Sequence, residues 1–191
     1  MVGALGAVLS VLLVVLVVQV RGEEPVDRPT DVYVVGDSIT TMAGGRDMGP
    51  AGWTVDARPG RTTPEGIDVV AAADLSGASV VIVALGTNDH LDDAATYGRK
   101  VDRMMAAIGP GPEVVWVNVD THTDQLADAA RGVNAALDAA VARHPNLRIG
   151  DWDAYVATVE DRPGVRAGDG IHYGPAGSEL RRAWTVDLVP A

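Results

Sequence analysis

The chain has 191 residues, with 26 acidic against 15 basic side chains, a formal net charge of -11 and no cysteine. An acidic surface repels phosphate backbones, which argues against a nucleic-acid partner. The absence of cysteine excludes a disulfide framework, thiolate zinc sites and a cysteine nucleophile, and a single lysine, Lys100, excludes most lysine-based mechanisms.

Val2 to Val20 is an apolar run without a charged side chain. At about 1.5 Å per residue it nearly spans a hydrocarbon core of about 30 Å. No basic residue precedes it, and Val18, Gln19 and Val20 close it where a cleaved signal has small residues, so residues 1–22 read as a transmembrane anchor in preference to a signal. Arg21 followed by Glu23 and Glu24 leaves its orientation open. Residues 23–30, with Pro25 and Pro29, read as an extended linker, and residues 31–191 as one domain, expected to be a monomer that meets the membrane only through the N-terminal helix.

From Asp31 onward, short β-branched runs alternate with longer helical patterns. That alternation predicts a parallel sheet wrapped by helices, an α/β fold built as a three-layer α/β/α sandwich. Strands are expected at Asp31 to Val35, Trp53 to Ala57, Val80 to Leu85, Glu113 to Val119 and Leu147 to Asp151. Helices are expected at Pro64 to Ala73, Asp92 to Ile108, Asp124 to Arg143, Pro175 to Val186 and, shorter, near Trp152 to Val159. Runs such as Val80-Val81-Ile82-Val83 lack polar alternation, as strands covered on both faces do.

In such sheets reactive groups gather after the carboxyl ends of the strands. Ser38 follows the first strand and opens a helix, so it is either a nucleophile or a helix N-cap. Asp169 precedes His172 by three residues, a spacing that lets a carboxylate reach the second imidazole nitrogen and leave the first free to accept a proton. Asn88, near Gly86, either donates to an oxyanion or belongs to a capping turn, and Gly60 offers an unobstructed amide or simply a turn.

In this order the segments resemble the blocks of the SGNH (GDSL-like) hydrolase family, over nearly all of Asp31 to Ala191. Gly36-Asp37-Ser38-Ile39-Thr40 is similar to the first block, Gly60 falls at the second, Gly86-Thr87-Asn88-Asp89 is similar to the third, and Asp169-Gly170-Ile171-His172 to the last. The resemblance implies a flavodoxin-like sheet of five parallel strands, a triad of Ser38, His172 and Asp169, and an oxyanion hole from the Ser38 and Gly60 amides and Asn88. It implies a serine esterase without a cofactor or metal. Val55 to Arg61 and Asp169 to Gly177 are also similar to SGNH domains of membrane enzymes that O-acetylate envelope polysaccharides.

Short connections favour a shallow site and a short acyl group, acetyl above all, borne on a small molecule or a carbohydrate. The alternatives are an O-acyltransferase acting on a sugar hydroxyl and a non-catalytic tethered binding module. The apolar N-terminus leads us to expect a membrane-anchored or secreted protein with its domain outside the cytoplasm. Asp120, His122 and Asp124 are spaced like metal ligands but are set aside in favour of a loop lining the substrate. His90 and His144 read as solvated helix-end residues, the four tryptophans as core, and Arg61 as a surface charge with polymer contact as the alternative.

Overall fold

The computed structural model describes residues 31–123 and 125–189. The expected anchor and linker lie outside them, and among the described residues no helix is long and apolar enough to cross a membrane.

Five parallel strands form one sheet, β1 (Val32–Gly36), β2 (Trp53–Ala57), β3 (Val80–Ala84), β4 (Glu113–Val117) and β5 (Leu147–Gly150), in the order β2-β1-β3-β4-β5. This is the flavodoxin-like order, in which the chain leaves β1 in one direction and β3 in the other, so a crevice opens between their carboxyl ends. The register sets Gly36 beside Ala57 and Ala84, which brings the segments after β1, β2 and β3 to one edge of the molecule.

Both faces of the sheet are covered, as the unbroken apolar runs predict. Tyr33, Val35, Val81, Val83, Val114 and Trp116 point to one core, shared with α2 (Thr63–Ala72), α3 (Ala94–Ile108) and α4 (Ala127–Val141). Val32, Val34, Val80, Ile82, Val115 and Val117 point to the other, shared with α1 (Ser38–Met42), α5 (Trp152–Ala157) and α6 (Pro175–Asp187). Each such side chain contributes about 1.5–3 kcal/mol on full burial, so the sheet is the rigid platform of the fold.

Helix starts are chemically marked. Thr62 and Glu65 form a capping box before α2, and Asp93 accepts the Thr96 amide at 2.7 Å before α3. The expected strand to Val119 ends at Val117 because the Val119 backbone turns from the sheet to Asn134 of α4, donating to Oδ1 and accepting from Nδ2 at 2.8 Å each.

Candidate active site

Ser38 sits at the first position of α1, and the N-cap is its predecessor. Asp37 Oδ1 accepts the Ile39 amide at 2.9 Å, which removes the reading of Ser38 as a mere cap. With the cap supplied by Asp37, the Ser38 hydroxyl is free to face outward, and it meets His172 Nε2 at 2.8 Å across 134 residues of sequence. His172 Nδ1 meets Asp169 Oδ2 at 2.7 Å. Oδ1 of the same carboxylate accepts the Ile171 and His172 amides at 3.0 and 2.9 Å.

These contacts explain the electrostatics of the loop. The His172 and Ile171 amides, followed by the His172 side chain, hold the Asp169 carboxyl far below the usual carboxylate range. An ionised Asp169 accepts a hydrogen bond from Nδ1–H, which leaves Nε2 as the acceptor for the serine hydroxyl.

The loop after β2 supplies Gly60, held at φ +74°, where a side chain would be strained although the surrounding space is open. Among the described residues neither the Gly60 nor the Ser38 amide donates a hydrogen bond to protein. Asn88, after β3, gives one amide hydrogen to the Arg61 carbonyl at 3.1 Å and makes only a long 3.5 Å approach to Asp37 Oδ2, so its second hydrogen is weakly engaged. The next residue locks this loop. Buried Asp89 accepts the Thr63 amide and hydroxyl at 2.9 and 2.8 Å and pairs with Lys100 at 2.6 Å. Hydrogen bonds thus join Ser38, His172 and Asp169 to one another, and Asn88 to Arg61, the neighbour of Gly60, in the segments beyond the ends of β1, β2 and β3.

Arg61 corrects the expectation of a surface charge. It is 5% exposed, and its guanidinium donates to the Asp56 carbonyl and carboxylate at 2.6 Å each and to the Gly36 carbonyl at 3.3 Å. It therefore ties the end of β2 to the end of β1, beneath the turn that bears Gly60. His144 is likewise only partly exposed, because Asp102 Oδ1 lies 2.8 Å from its Nε2.

Asp120 is the largest role the sequence did not reveal. Its buried carboxylate accepts Tyr173 Oη and the His122 amide at 2.7 and 2.9 Å and pairs with Arg166. Burial raises its pKa, but the hydrogen bonds from Arg166 and Tyr173 outweigh that and hold it below the usual range. Tyr173 follows His172 directly and also accepts the Trp152 indole N–H at 2.6 Å, so this network anchors the loop that carries the imidazole. Replacing Tyr173 with phenylalanine leaves both partners short of a bond, a cost of roughly 1–3 kcal/mol for each buried polar group. We expect a melting temperature lower by several degrees, at about 2–4 °C per kcal/mol for a domain of this size, and an unshifted calorimetric transition would refute the anchor.

Of the spaced metal-ligand candidates, Asp124 lies outside the described residues. Asp120 and His122 instead approach Asp153, with ligand atoms within 4.8 Å of one another. The Asp120 carboxylate there faces Arg166, and Asp153 accepts the Thr121 amide and hydroxyl at 2.6 and 2.9 Å, a donor set arranged as a hydrogen-bond network.

Two clefts lie along the loop that carries Asp169 and His172. One of about 560 Å³ runs past Met42, Gly44, Ala167, Tyr173 and Gly174, and the other, of about 360 Å³, past His122, Arg166, Gly168, Asp169 and Gly170.

No family model matches the chain, and no curated protein matches it in sequence. Solved structures do match. The C-terminal catalytic domain of peptidoglycan O-acetyltransferase A from Streptococcus pneumoniae, determined with a methylsulfonyl adduct, is 18% identical over 83% of this chain and 95% of that one, with a TM-score of 0.64. The lipase/acylhydrolase from Enterococcus faecalis is 22% identical over 82% and 94%, with a TM-score of 0.65. A carbohydrate esterase family 3 structure from Talaromyces cellulolyticus is 18% identical over 82% and 94%, with a TM-score of 0.63. The chain has the α/β fold of the SGNH hydrolases.

Proposed function

We propose that this protein is a serine hydrolase of the SGNH type that cleaves short acyl esters, acetyl above all, from a small molecule or a carbohydrate. The observation that carries this reading is the continuous hydrogen-bonded path from the Ser38 hydroxyl through His172 to Asp169, at 2.8 and 2.7 Å. His172 takes the hydroxyl proton as Ser38 Oγ attacks the acyl carbonyl. The developing oxyanion is met by the Ser38 and Gly60 amides and by the Asn88 side chain. Collapse breaks the ester C–O bond, and His172 returns the proton to the departing alcohol. Water, deprotonated by the same imidazole, then attacks the acyl-enzyme and releases the carboxylic acid and Ser38.

Open clefts along the loop that carries Asp169 and His172 suit an acyl group on a bulky alcohol, and a peptidoglycan O-acetyltransferase domain and a carbohydrate esterase share the fold. Residues 1–22 would hold the domain at a membrane, outside the cytoplasm. The acetyltransferase likeness also favours a second reading, in which a sugar hydroxyl replaces water in the last step. Product analysis with and without a carbohydrate acceptor separates the two.

Residues 23–191 treated with a serine-reactive phosphonate should gain one adduct by intact mass, mapped to Ser38, and should turn over p-nitrophenyl acetate. Rates should fall from acetate to decanoate esters. A folded protein that neither turns over ester nor gains an adduct is the binding module instead, and rates that rise with chain length would overturn the short-acyl assignment.

A further inference from the structure

Directly behind the nucleophile, a chamber of about 20 Å³ is walled by Asp37, Thr87, Asn118, Asp120, Tyr173 and Arg181, among others. A water needs roughly 10–15 Å³ of such space and two to four polar partners, so the chamber suits a single water. Arg181 of α6 reaches it from the far side. It is 5% exposed, its guanidinium lies 4.6 Å from the Trp152 ring centre and 5.3 Å from that of Trp184, and its Nη1 has no hydrogen-bond partner among the described residues. A buried guanidinium with an idle N–H demands an acceptor, and the aromatic rings cannot supply one in the plane of the group.

Across the chamber, Asp37 is the candidate. Its Oδ1 caps α1, while Oδ2 makes only the long approach from Asn88. Its other charged and titratable neighbours are accounted for. Asp120 is neutralised by Arg166, Tyr173 donates to Asp120, Tyr97 donates to the Leu85 carbonyl, and His172 is engaged with Ser38 and Asp169. Arg181 is thus the cation facing Asp37 among the described residues that wall the chamber.

We infer that Arg181 is a positioning residue for Ser38: through one water in the chamber it holds the Asp37 cap ionised, and so keeps the first turn of α1 in line with His172. The catalytic half of this statement rests on the serine-hydrolase reading above. The electrostatics agree with the geometry. Burial pushes Asp37 up to about 6 and pulls Arg181 down to about 10, and each charge opposes the shift of the other. Beside the Ile39 amide, the guanidinium lowers the Asp37 pKa, so without it Asp37 would bind a proton more readily, and a neutral cap holds the Ile39 amide less tightly than a carboxylate does.

The test compares wild type, Arg181→Gln and Arg181→Lys by two readouts, the carbon-13 titration of the Asp37 carboxyl and the rate of phosphonate labelling at pH 6 relative to pH 8. Arg181→Gln should raise the Asp37 midpoint by about one unit and depress its labelling ratio about fivefold relative to wild type, since at pH 6 the ionised fraction of Asp37 then falls from roughly a half to roughly a tenth while at pH 8 it stays near one. Arg181→Lys, which keeps the charge, should restore most of both. An Asp37 midpoint that stays in place in Arg181→Gln overturns the inference, and so does an unchanged labelling ratio in a wild type that labels. If wild type does not label at any pH, the hydrolase reading falls alone, and the titration still decides whether Arg181 governs Asp37. Should Arg181→Gln fail to fold, the Asp37→Asn/Arg181→Gln pair carries the test, because neutralising the buried carboxylate as well should restore folding that the single change lost. A double variant that also fails to fold would refute the coupling.

Discussion

Replacing Asp169 with asparagine should lower ester turnover about 10⁴-fold while leaving the fold intact, the magnitude seen when a triad carboxylate is made an amide. The asparagine carbonyl oxygen can still accept the Ile171 and His172 amides, which reach Oδ1 at 3.0 and 2.9 Å, so the tight loop survives. Its NH₂ group then stands where Oδ2 now lies, 2.7 Å from His172 Nδ1. Two donors cannot face one another, so the imidazole moves its proton to Nε2. In that tautomer Nε2 donates towards Ser38 and cannot accept its proton. Circular dichroism and melting should match wild type, and phosphonate labelling should slow in parallel with turnover. Because Asp169 is held below the ordinary carboxylate range, it stays ionised in mildly acidic solution, and the loss should persist there. A variant with near-normal turnover at neutral pH would show that His172 is oriented by something other than this carboxylate.

The strands were legible to within about two residues because apolar runs covered on both faces leave no ambiguity of period. Gly36-Asp37-Ser38 and Asp169 to His172 were legible because their geometry is local: a cap, a tight turn and a three-residue reach. What stayed hidden depends on partners far apart in the chain. Arg61 follows a turn and carries a charge, so it reads as surface until β1 offers the Gly36 carbonyl and β2 the Asp56 carboxylate. Asp120 is buried beside side chains 46 and 53 residues distant, Arg181 shares its chamber with Asp37 from the other end of the domain, and no periodicity in the sequence announces a buried ion network. The helix expected from Asp124 starts later, at Ala127, because Asp120 to Thr123 are drawn into a loop that reaches Asp153 and Arg166. Val117-Asn118-Val119 overstated β4 for a related reason: side-chain bonds from Asn134 can satisfy a backbone as well as a sheet can.

Asn88→Ala tests the oxyanion hole more sharply than any change at Gly60 or Ser38, whose contributions are backbone amides. The Asn88 side-chain nitrogen is oriented by the Arg61 carbonyl at 3.1 Å, and the Arg61 guanidinium is in turn fixed to Asp56 and Gly36, so the donor is preorganised by the ends of β1 and β2. A donor fixed before reaction loses nothing in reorganisation as charge develops, and deleting one such donor typically costs about 10² to 10³ in rate. Alanine removes one donor from the Arg61 carbonyl in a part-buried site and leaves Asp89 to hold the loop through Thr63 and Lys100, so the fold should be little affected. The loss should therefore appear in kcat, with KM nearly unchanged, because the oxyanion exists only in the transition state. Phosphonate labelling should slow by a similar factor, since the attacked phosphonyl oxygen occupies the same hole. Turnover that is unchanged in a folded Asn88→Ala protein would leave the Ser38 and Gly60 amides as the whole oxyanion hole, whereas a rise in KM at constant kcat would make Asn88 a substrate-binding group instead.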